Sequence, residues 1–267
     1  MEIAVHRSAG RYECGEETAL LNALEGKRAN PRSKPPFPLV KGLWGRPTLV
    51  NNVETILNIS HIITMGPEAW KSCAKSAGGA GVKLYGVSGR VIRPGLYELP
   101  IGTTLREILE EHAGGMHLDY RFKACLPGGA STQLLTREHL DVEMDFEPVA
   151  KAGSRLGTGC VTVFDDRCCI VAAMVNLTAF FARESCGWCT PCRDGLPFVL
   201  DILQRIEAGS ATHEDIDMLG EQCDVIYPNT FCAFAPGAVS PVQSMLALYM
   251  DEVEEHIKLG RCPLKGR

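Results

Sequence analysis

Apolar and polar positions recur with different periods along the chain, and the change of period predicts three regions. Over residues 166–267 the apolar side chains recur at three- and four-residue intervals, as amphipathic helices require. Helices are predicted over 166–183, 191–208, 213–227 and 236–259. Because the connections between them are short, a four-helix bundle is the expected packing.

The middle region, residues 82–165, has the pattern of a small α/β unit. Thr103-Thr104-Leu105-Arg106-Glu107 resembles a capping box and predicts a helix that ends near His112. Runs with the residue preferences of strands flank this helix at 82–91, 95–99, 122–126 and 159–164. Two strands, a helix and further strands favour a β-grasp (ubiquitin-like) domain.

The first region, residues 1–66, combines two predicted helices with an irregular stretch. A short helix is expected over 18–24, ended by Gly26, and a longer one over 51–65. The segment between them, ANPRSKPPFPLVKGLWGRP, is rich in proline, so packing or a ligand must hold it. With the other two regions, this one makes the chain an α+β protein of three domains.

Composition and charge exclude several classes of function. Apolar residues make up 45% and charged residues 22% of the 267 positions, as in ordinary soluble proteins. The net charge is −5 and there is no Lys/Arg cluster, so neither nucleic acid nor a lipid surface is an expected partner. The longest apolar run, 168–181, is too short to cross a bilayer. This composition is compatible with docking on a membrane complex.

Cysteine usage points to metal chemistry. The chain has 12 cysteines, and a start without a signal-peptide pattern favours a reducing compartment over a disulfide scaffold. Cys186, Cys189 and Cys192 follow the C-x2-C-x2-C spacing, which lets one loop hold three corners of a [4Fe–4S] cluster while a distant residue supplies the fourth. Gly187 permits an unusual backbone conformation in this loop, and Pro191 can begin the next helix.

The fourth ligand is not fixed by spacing. Cys232, on the loop before the last predicted helix, is the first choice, and Cys223 is the poorer choice because it lies within a predicted helix. Zinc is the alternative metal, although zinc sites usually combine two CxxC units or one such unit with histidines. The remaining cysteines show no ligand spacing, and most are predicted to be buried as small apolar side chains: 14, 73, 125, 160, 168, 169 and 262.

Several long motifs resemble one family in the correct order. The cysteine loop, ESCGWCTPCRDG, is similar to that of the NADH-binding flavoprotein subunit (the F subunit) of respiratory complex I, or NADH–quinone oxidoreductase. The same resemblance extends to AGRYECGEETALLNALEGKRANPRSKPPFP, WGRPTLVNNVET, KAGSRLGTG and FCAFAPGAV. Diaphorase subunits of NAD-linked hydrogenases and formate dehydrogenases share these motifs and are the alternative.

The resemblance implies a chemistry and a setting. NADH would give a hydride to FMN, and single electrons would pass to the [4Fe–4S] cluster and on towards quinone. The implied partners are a thioredoxin-like [2Fe–2S] subunit and a subunit with several clusters, on the cytoplasmic or mitochondrial-matrix side of an energy-transducing membrane. The implied flavin and NADH residues, with Glu17 as the catalytic one, are Tyr12, Gly15, Glu16, Glu17, Lys34, Phe37, Asn51 and Asn52.

Simpler structural roles compete with these assignments. Glu16 and Glu17 suit the start of a helix, where acidic groups meet the positive end of the dipole, and an asparagine at 51 or 52 suits a helix N-cap. Phe37 and Lys34 would then be an ordinary core aromatic and a surface lysine. The family context favours the ligand roles.

The chain departs from the family pattern at its start. The family has a glycine-rich phosphate loop and much of a Rossmann-like domain before the position of Tyr12, so residues 1–66 are interpreted as the C-terminal part of a Rossmann-like FMN/NADH-binding domain. The glycine run at 78–81 is no substitute for that loop because it does not join a strand to a helix. The sequence is therefore interpreted as the C-terminal part of the subunit, with an incomplete FMN site. A cluster-only electron-transfer module and a zinc-stabilised scaffold are the competing functions. Ser8 replaces a usual glycine. Glu13 replaces a usual apolar residue and is expected either to affect the flavin face or to point to water.

Overall fold

A mixed sheet forms the middle of the chain, with helices before and after it. The computed structural model describes residues 3–8 and 10–264. Its helices are α1 (Glu17–Leu24), α2 (Pro38–Lys41), α3 (Val53–Met65), α4 (Pro67–Lys71), α5 (Leu105–Glu107, continued by a π turn Ile108–His112), α6 (Phe146–Lys151), α7 (Ile170–Glu184), α8 (Thr190–Ala208), α9 (His213–Ile226), α10 (Phe234–Leu248) and α11 (Met250–Leu259). Single 3-10 turns lie at Tyr12–Gly15, Leu43–Gly45 and Arg137–His139.

Within the described residues, five strands form one sheet. They are β1 (Val82–Gly89), β2 (Gly95–Pro100), β3 (Phe122–Leu126), β4 (Leu135–Thr136) and β5 (Cys160–Asp165), and their order is β2-β1-β5-β3-β4. β1 and β2 form an antiparallel hairpin, β1 and β5 are parallel, and β3 is antiparallel to both β5 and β4. Tyr85, Leu105, Ile108 and Val161 lie in the core between this sheet and α5.

The strands predicted from the sequence are confirmed. In the middle region, the sequence pattern did not predict the strand β4 or the helix α6. β4 has only two residues, so it shows no alternation, and α6 has only six. Asp145 caps α6, with its carboxylate accepting from the N–H of Phe146. The capping box predicted at Thr104 and Glu107 is present and starts α5.

The helices at the end of the chain pack around a continuous apolar core. α7 packs against α8 and α10, and α9 also packs against α8 and α10. The core between them is lined by Met174, Leu196, Ile202, Leu219 and Met245. The three- and four-residue period predicted from the sequence therefore corresponds to a buried face on these helices.

The single helix predicted over 236–259 is wrong. It is two helices, α10 and α11, separated at Tyr249, whose φ of −134° and ψ of 30° are not helical. The Tyr249 hydroxyl donates to the Lys123 carbonyl at 3.1 Å, and the Lys123 ammonium lies 5.6 Å from the ring centroid. A contact with the sheet therefore sets the break, and no local signal in the sequence marks it.

A half-buried ion pair joins the sheet to the helices. The Lys123 ammonium pairs with the Glu252 carboxylate, and both side chains are less than a fifth exposed. Lys123 also donates to the Cys168 carbonyl at 2.8 Å, and Glu252 accepts from the N–H of Ile170 at 2.8 Å. Each side chain thus makes the ion pair and one further hydrogen bond. Breaking a desolvated pair of this kind is costly, because it leaves an uncompensated charge away from water.

Glu252→Gln is expected to lower the melting temperature by roughly 4–16 °C. Without the Glu252 charge, the desolvated Lys123 ammonium has no charged partner, which costs about 2–4 kcal/mol. For a chain of this size, the melting temperature falls by about 2–4 °C per kcal/mol. Differential scanning fluorimetry measures the shift. The matched control is Glu147→Gln, which removes an exposed pair with Lys151 and should shift the melting temperature by about 1 °C or less. Equal shifts in the two variants would contradict this account.

Candidate functional site

Four cysteines from two separate parts of the chain face one small cavity. The cavity lies where the loop between α7 and α8 meets the turn before α10 and the first 3-10 turn. Its walls are formed by Glu13, Pro31, Cys186, Cys189, Cys192, Thr230, Phe231, Cys232, Phe234 and Ala235. The structure therefore brings together the three loop cysteines and the predicted fourth residue.

The α7–α8 loop presents its cysteines through backbone conformation. Gly187 has a φ of +78°, which side-chain-bearing residues rarely adopt. Cys189 is the N-cap of α8, and Cys192 lies in the first turn of that helix, with its Sγ 3.2 Å from the Ser185 hydroxyl. The positive end of the α8 dipole consequently faces the cavity and favours negative charge there.

The two candidates for the fourth position lie in different surroundings. Cys232 lies in the turn before α10 and lines the cavity, with its Sγ 3.9 Å from Glu13 Oε1. Cys223 lies on α9, is fully buried, and packs in the apolar core of the helices. The geometry favours Cys232 as the fourth donor.

Burial makes these thiols difficult to ionise without a cation. Burial, together with the neighbouring thiols and Glu13, raises the pKa of Cys192 to about 11 and that of Cys232 to about 12. Burial likewise raises the pKa of Cys186. Bound iron would supply the positive charge that thiolates at such a site require, since a coordinated thiol is deprotonated outright. The donor set, four cysteine sulfurs around one cavity, fits a [4Fe–4S] cluster.

Backbone groups and guanidinium groups surround the cavity in a way that suits an anion. Backbone hydrogen bonding by Trp188 and Phe234 opposes the rise in the pKa of Cys186 and Cys232, because such bonds favour the anionic form of sulfur. Arg28 donates to the Cys186 carbonyl at 2.9 Å.

Two more arginines hold the same loop. Arg193 donates to the Gly187 carbonyl at 3.2 Å, and Arg11 donates to the Glu184 and Ser185 carbonyls at 3.3 and 3.2 Å. The sequence pattern did not identify these arginines as site residues. Arg193 could have been identified, because it is adjacent to Cys192.

Glu13 does not point to water. Its side chain is 2% exposed and forms part of the cavity wall. Burial, followed by the nearby Glu16, raises the pKa of Glu13 to about 7. The residue noted as a departure from the family pattern is therefore next to the cysteines, because the 3-10 turn Tyr12–Gly15 packs against the α7–α8 loop.

Three of the residues that the resemblance implies for flavin or NADH binding lie together: Glu16, Glu17 and Lys34. Glu16 is the N-cap of α1, and its carboxylate accepts from the N–H groups of Thr18 and Ala19, each at 2.8 Å. Lys34 Nζ lies 2.5 Å from Glu17 Oε1 and 3.4 Å from Glu16 Oε1. Glu16 and Lys34 line a groove that also includes Cys232. Glu16 therefore acts as the N-cap of α1 and also lines the groove next to the cysteine cavity.

Tyr12 and Gly15 lie in the 3-10 turn beside this groove. The Tyr12 ring packs against Phe180, Phe181 and Phe234, with centroids 5.1, 5.9 and 5.8 Å away. A Cβ on Gly15 would meet no described atom within 4 Å. The described residues therefore do not themselves require a glycine at this position.

The other expected flavin and adenine residues do not join this groove. Asn52 is the N-cap of α3, accepting from the Glu54 N–H at 2.8 Å, and faces a separate groove beside Lys83 and Phe146. Asn51 is exposed, and Phe37, 56% exposed, precedes α2. The α3 helix itself has no buried residue within the described part of the protein. The structure therefore brings the expected residues together only in part.

Comparisons with known proteins match family models to three regions of the chain. Residues 172–256 match the NADH-ubiquinone oxidoreductase-F iron-sulfur binding region, residues 1–61 the Nuo51 FMN-binding domain, and residues 84–135 the SLBB domain. The chain is 56% identical over 258 residues to the NADH-quinone oxidoreductase F subunit of Salmonella typhimurium, and the match covers 96% of the chain. The chain belongs to the family of NADH-quinone oxidoreductase F subunits. The F subunit of Mycobacterium bovis is 49% identical over the whole chain.

The match to the F subunits is partial in length. The chain spans 58% of the Salmonella protein and 60% of the Mycobacterium protein. Among solved structures, an NAD+-reducing [NiFe]-hydrogenase in the H2-reduced state matches with a TM-score of 0.84 and 36% identity, over 96% of this chain and 43% of that one. The described fold is thus close to that of a hydrogenase chain. Among the described residues, no helix has both the length and the apolar character needed to cross a bilayer.

Proposed function

We propose that the chain is an electron-transfer subunit of an NADH-linked oxidoreductase that holds a [4Fe–4S] cluster on Cys186, Cys189, Cys192 and Cys232. The convergence of these four cysteines on one cavity carries the proposal. A cluster, when bound, accepts and releases one electron at a time. The chain supplies the sulfur donors, the dipole of α8, and the arginines that hold the loop.

The groove beside Cys232 is the proposed nicotinamide and flavin side. Glu16 and Glu17 would accept hydrogen bonds from ribose or carboxamide groups, and Lys34 would hold both carboxylates in position. Tyr12 and Gly15 would form the wall next to the flavin, and Phe37 would stack on the adenine. The groove shares Cys232 with the cysteine cavity, so a flavin there would lie within short reach of the cluster.

A complete FMN site needs more polypeptide than the described residues provide. On α3, Val53, Ile56, Leu57 and Ile63 are each at least 48% exposed. Glu54 fixes this helix to β1, with its carboxylate 2.8 Å from Lys83 Nζ and accepting from the Leu84 N–H at 2.7 Å. We infer that further polypeptide of the FMN-binding domain covers the apolar side of α3 and brings Asn51 and Asn52 to the flavin.

The middle region supports a β-grasp domain. A β1–β2 hairpin, α5, and the parallel pairing of β1 with β5 at the centre of the sheet are the features that favour it. The partners we propose are a thioredoxin-like [2Fe–2S] subunit and a subunit with several clusters. Trp188 and Phe231, on the cavity side of the α7–α8 loop and the turn before α10, are 61% and 44% exposed and offer an apolar contact for such a partner.

A diaphorase subunit of an NAD-linked hydrogenase is the second candidate, favoured by the fold match to that enzyme. Identity is higher to the quinone-linked subunits, at 56% against 36%, so quinone is the preferred final acceptor. The two candidates are distinguished by purifying the complex that contains the chain and measuring its nickel content, because a [NiFe]-hydrogenase partner would carry nickel.

Anaerobically purified protein is expected to contain about four irons and four sulfides per chain. Iron and acid-labile sulfide are measured chemically, and the dithionite-reduced protein should give the EPR spectrum of a reduced [4Fe–4S] centre. Cys125→Ser, at a buried cysteine of β3, is the control and should retain the iron. Protein that has zinc in the cysteine cavity and no sulfide would refute the proposal.

A further inference from the structure

A second group of metal-ligating side chains lies outside the cysteine cavity. Cys169, Glu207, His256 and Cys262 each offer one ligand atom, and these atoms all lie within 4.8 Å of one another. None of the four lines the cavity of Cys186 and Cys232. We propose that this group binds one zinc ion in a closed, tetrahedral, structural site.

The spacing of the donor atoms suits zinc. Cys169 Sγ lies 3.3 Å from His256 Nε2 and 3.3 Å from Glu207 Oε2, and these nitrogen and oxygen atoms are also 3.3 Å apart. Zinc bonds of about 2.0–2.3 Å in tetrahedral geometry place neighbouring ligand atoms about 3.3–3.8 Å apart. Three donors therefore already form one face of the tetrahedron, and the Cys262 sulfur is close enough to complete it.

The histidine is oriented as a metal ligand. His256 is fully buried, and its Nδ1 lies 2.7 Å from the Glu252 carbonyl oxygen, which can only accept a hydrogen bond. In the neutral ring, the proton therefore lies on Nδ1, and the lone pair of Nε2 faces Cys169 and Glu207. A backbone carbonyl that fixes the second ring nitrogen is the usual arrangement around a zinc-bound histidine.

The charges of the group favour a cation. Glu207 lies in the last turn of α8, where the helix dipole is unfavourable to a carboxylate. In the described part of the chain, the basic group recorded within 4.0 Å of its carboxylate is His256 Nε2, at 3.3 Å, and this nitrogen carries no charge while the ring is neutral. Cys169 is the N-cap of α7, and its sulfur accepts from the Ala172 N–H at 3.3 Å, which stabilises a thiolate. Two thiolates, an imidazole and a carboxylate form a donor set that selects zinc over hard cations.

Backbone packing holds the fourth donor at the site. Gly209, after α8, has a φ of +73°, and a Cβ there would lie 2.0 Å from the Gly260 carbonyl carbon. The turn after α11 thus lies directly on the turn after α8, which keeps the 4%-exposed Cys262 beside Glu207. The ion would join α7, α8, α11 and the segment that follows α11. Four protein ligands leave no open position, so the site is structural.

The test uses the full chain with its cluster, purified anaerobically and dialysed against zinc and then zinc-free buffer. Elemental analysis should find about one zinc in addition to about four irons. Zinc K-edge EXAFS, which iron does not disturb, should show about two sulfurs near 2.3 Å and two nitrogen or oxygen atoms near 2.0 Å. Cys262→Ser and His256→Gln should each lower the retained zinc about tenfold or more and leave the iron unchanged.

Cys73→Ser, at a cysteine outside both groups, is the matched control and should retain both metals. The inference is overturned if wild-type protein retains less than about a tenth of an equivalent of zinc, or if the EXAFS shows four sulfurs, which indicates zinc in the cysteine cavity. An intact disulfide between Cys169 and Cys262 in peptide maps of the anaerobic protein would overturn it as well. If a variant loses iron through misfolding, the wild-type EXAFS still decides.

Discussion

Cys232→Ser is expected to lose the [4Fe–4S] cluster or convert it to a three-iron form. The side chain lines the same cavity as the three loop cysteines, and a serine hydroxyl is a much poorer donor to iron than a thiolate. Iron should fall from about four per chain to about three or fewer. Iron and sulfide analysis, with EPR of the oxidised and reduced protein, measures this change.

Cys223→Ser is the matched control for that variant. Cys223 is fully buried among apolar side chains of α9 and lies away from the cavity wall. The substitution places a hydroxyl in the core, so we expect the free energy of unfolding to fall by about 1–3 kcal/mol. The melting temperature should therefore be lower, and the iron content should be unchanged. Loss of iron in Cys223→Ser with retention in Cys232→Ser would show that the fourth ligand is Cys223.

The 267-residue chain alone is expected to bind FMN weakly or not at all. FMN carries a phosphate, which flavin sites usually hold with backbone N–H groups at a glycine-rich loop and helix start. The glycine run at 78–81 precedes β1 and so is not placed between a strand and a helix. Near the groove, Glu16 and Glu17 are acidic, and Lys34 is already paired with both. Titration of FMN, followed by quenching of flavin fluorescence, measures the affinity.

Adding the N-terminal region of a homologous F subunit should restore FMN binding and NADH:ferricyanide activity. The exposed apolar side of α3 would then be covered, which predicts a loss of protease sensitivity in residues 53–65. Tight, stoichiometric FMN binding by the chain without that region would show that the described residues form a complete site.

In the reconstituted protein, Glu17→Gln should lower kcat/KM for NADH by about tenfold to a hundredfold, because a charge-assisted hydrogen bond is worth about 1.5–3 kcal/mol. Cluster content should not change, since Glu17 is not on the cavity wall. Glu68→Gln, on the exposed face of α4, is the control and should leave both properties unchanged. An equal loss of activity and iron would assign Glu17 a structural role.

Short-range patterns determined much of the fold from the sequence alone. Four of the five described strands, the capping box at Thr104, and the buried faces of α8 and α10 follow from the residue types of near neighbours, because period and capping are local properties. The C-x2-C-x2-C loop is also local, so its spacing alone identified three of the four cavity cysteines. The resemblance of the motifs to the F-subunit family was equally available, and the comparisons bear it out.

Contacts between distant segments were decided only by the tertiary structure. The break at Tyr249 depends on Lys123 in β3, and the burial of Glu13 depends on how the first 3-10 turn packs against the α7–α8 loop. Cys169 and Cys262 showed no ligand spacing in the sequence, yet the fold places both beside His256. The physical reason is that sequence periodicity reports which face of an element is buried, whereas the packing of elements determines which buried groups meet.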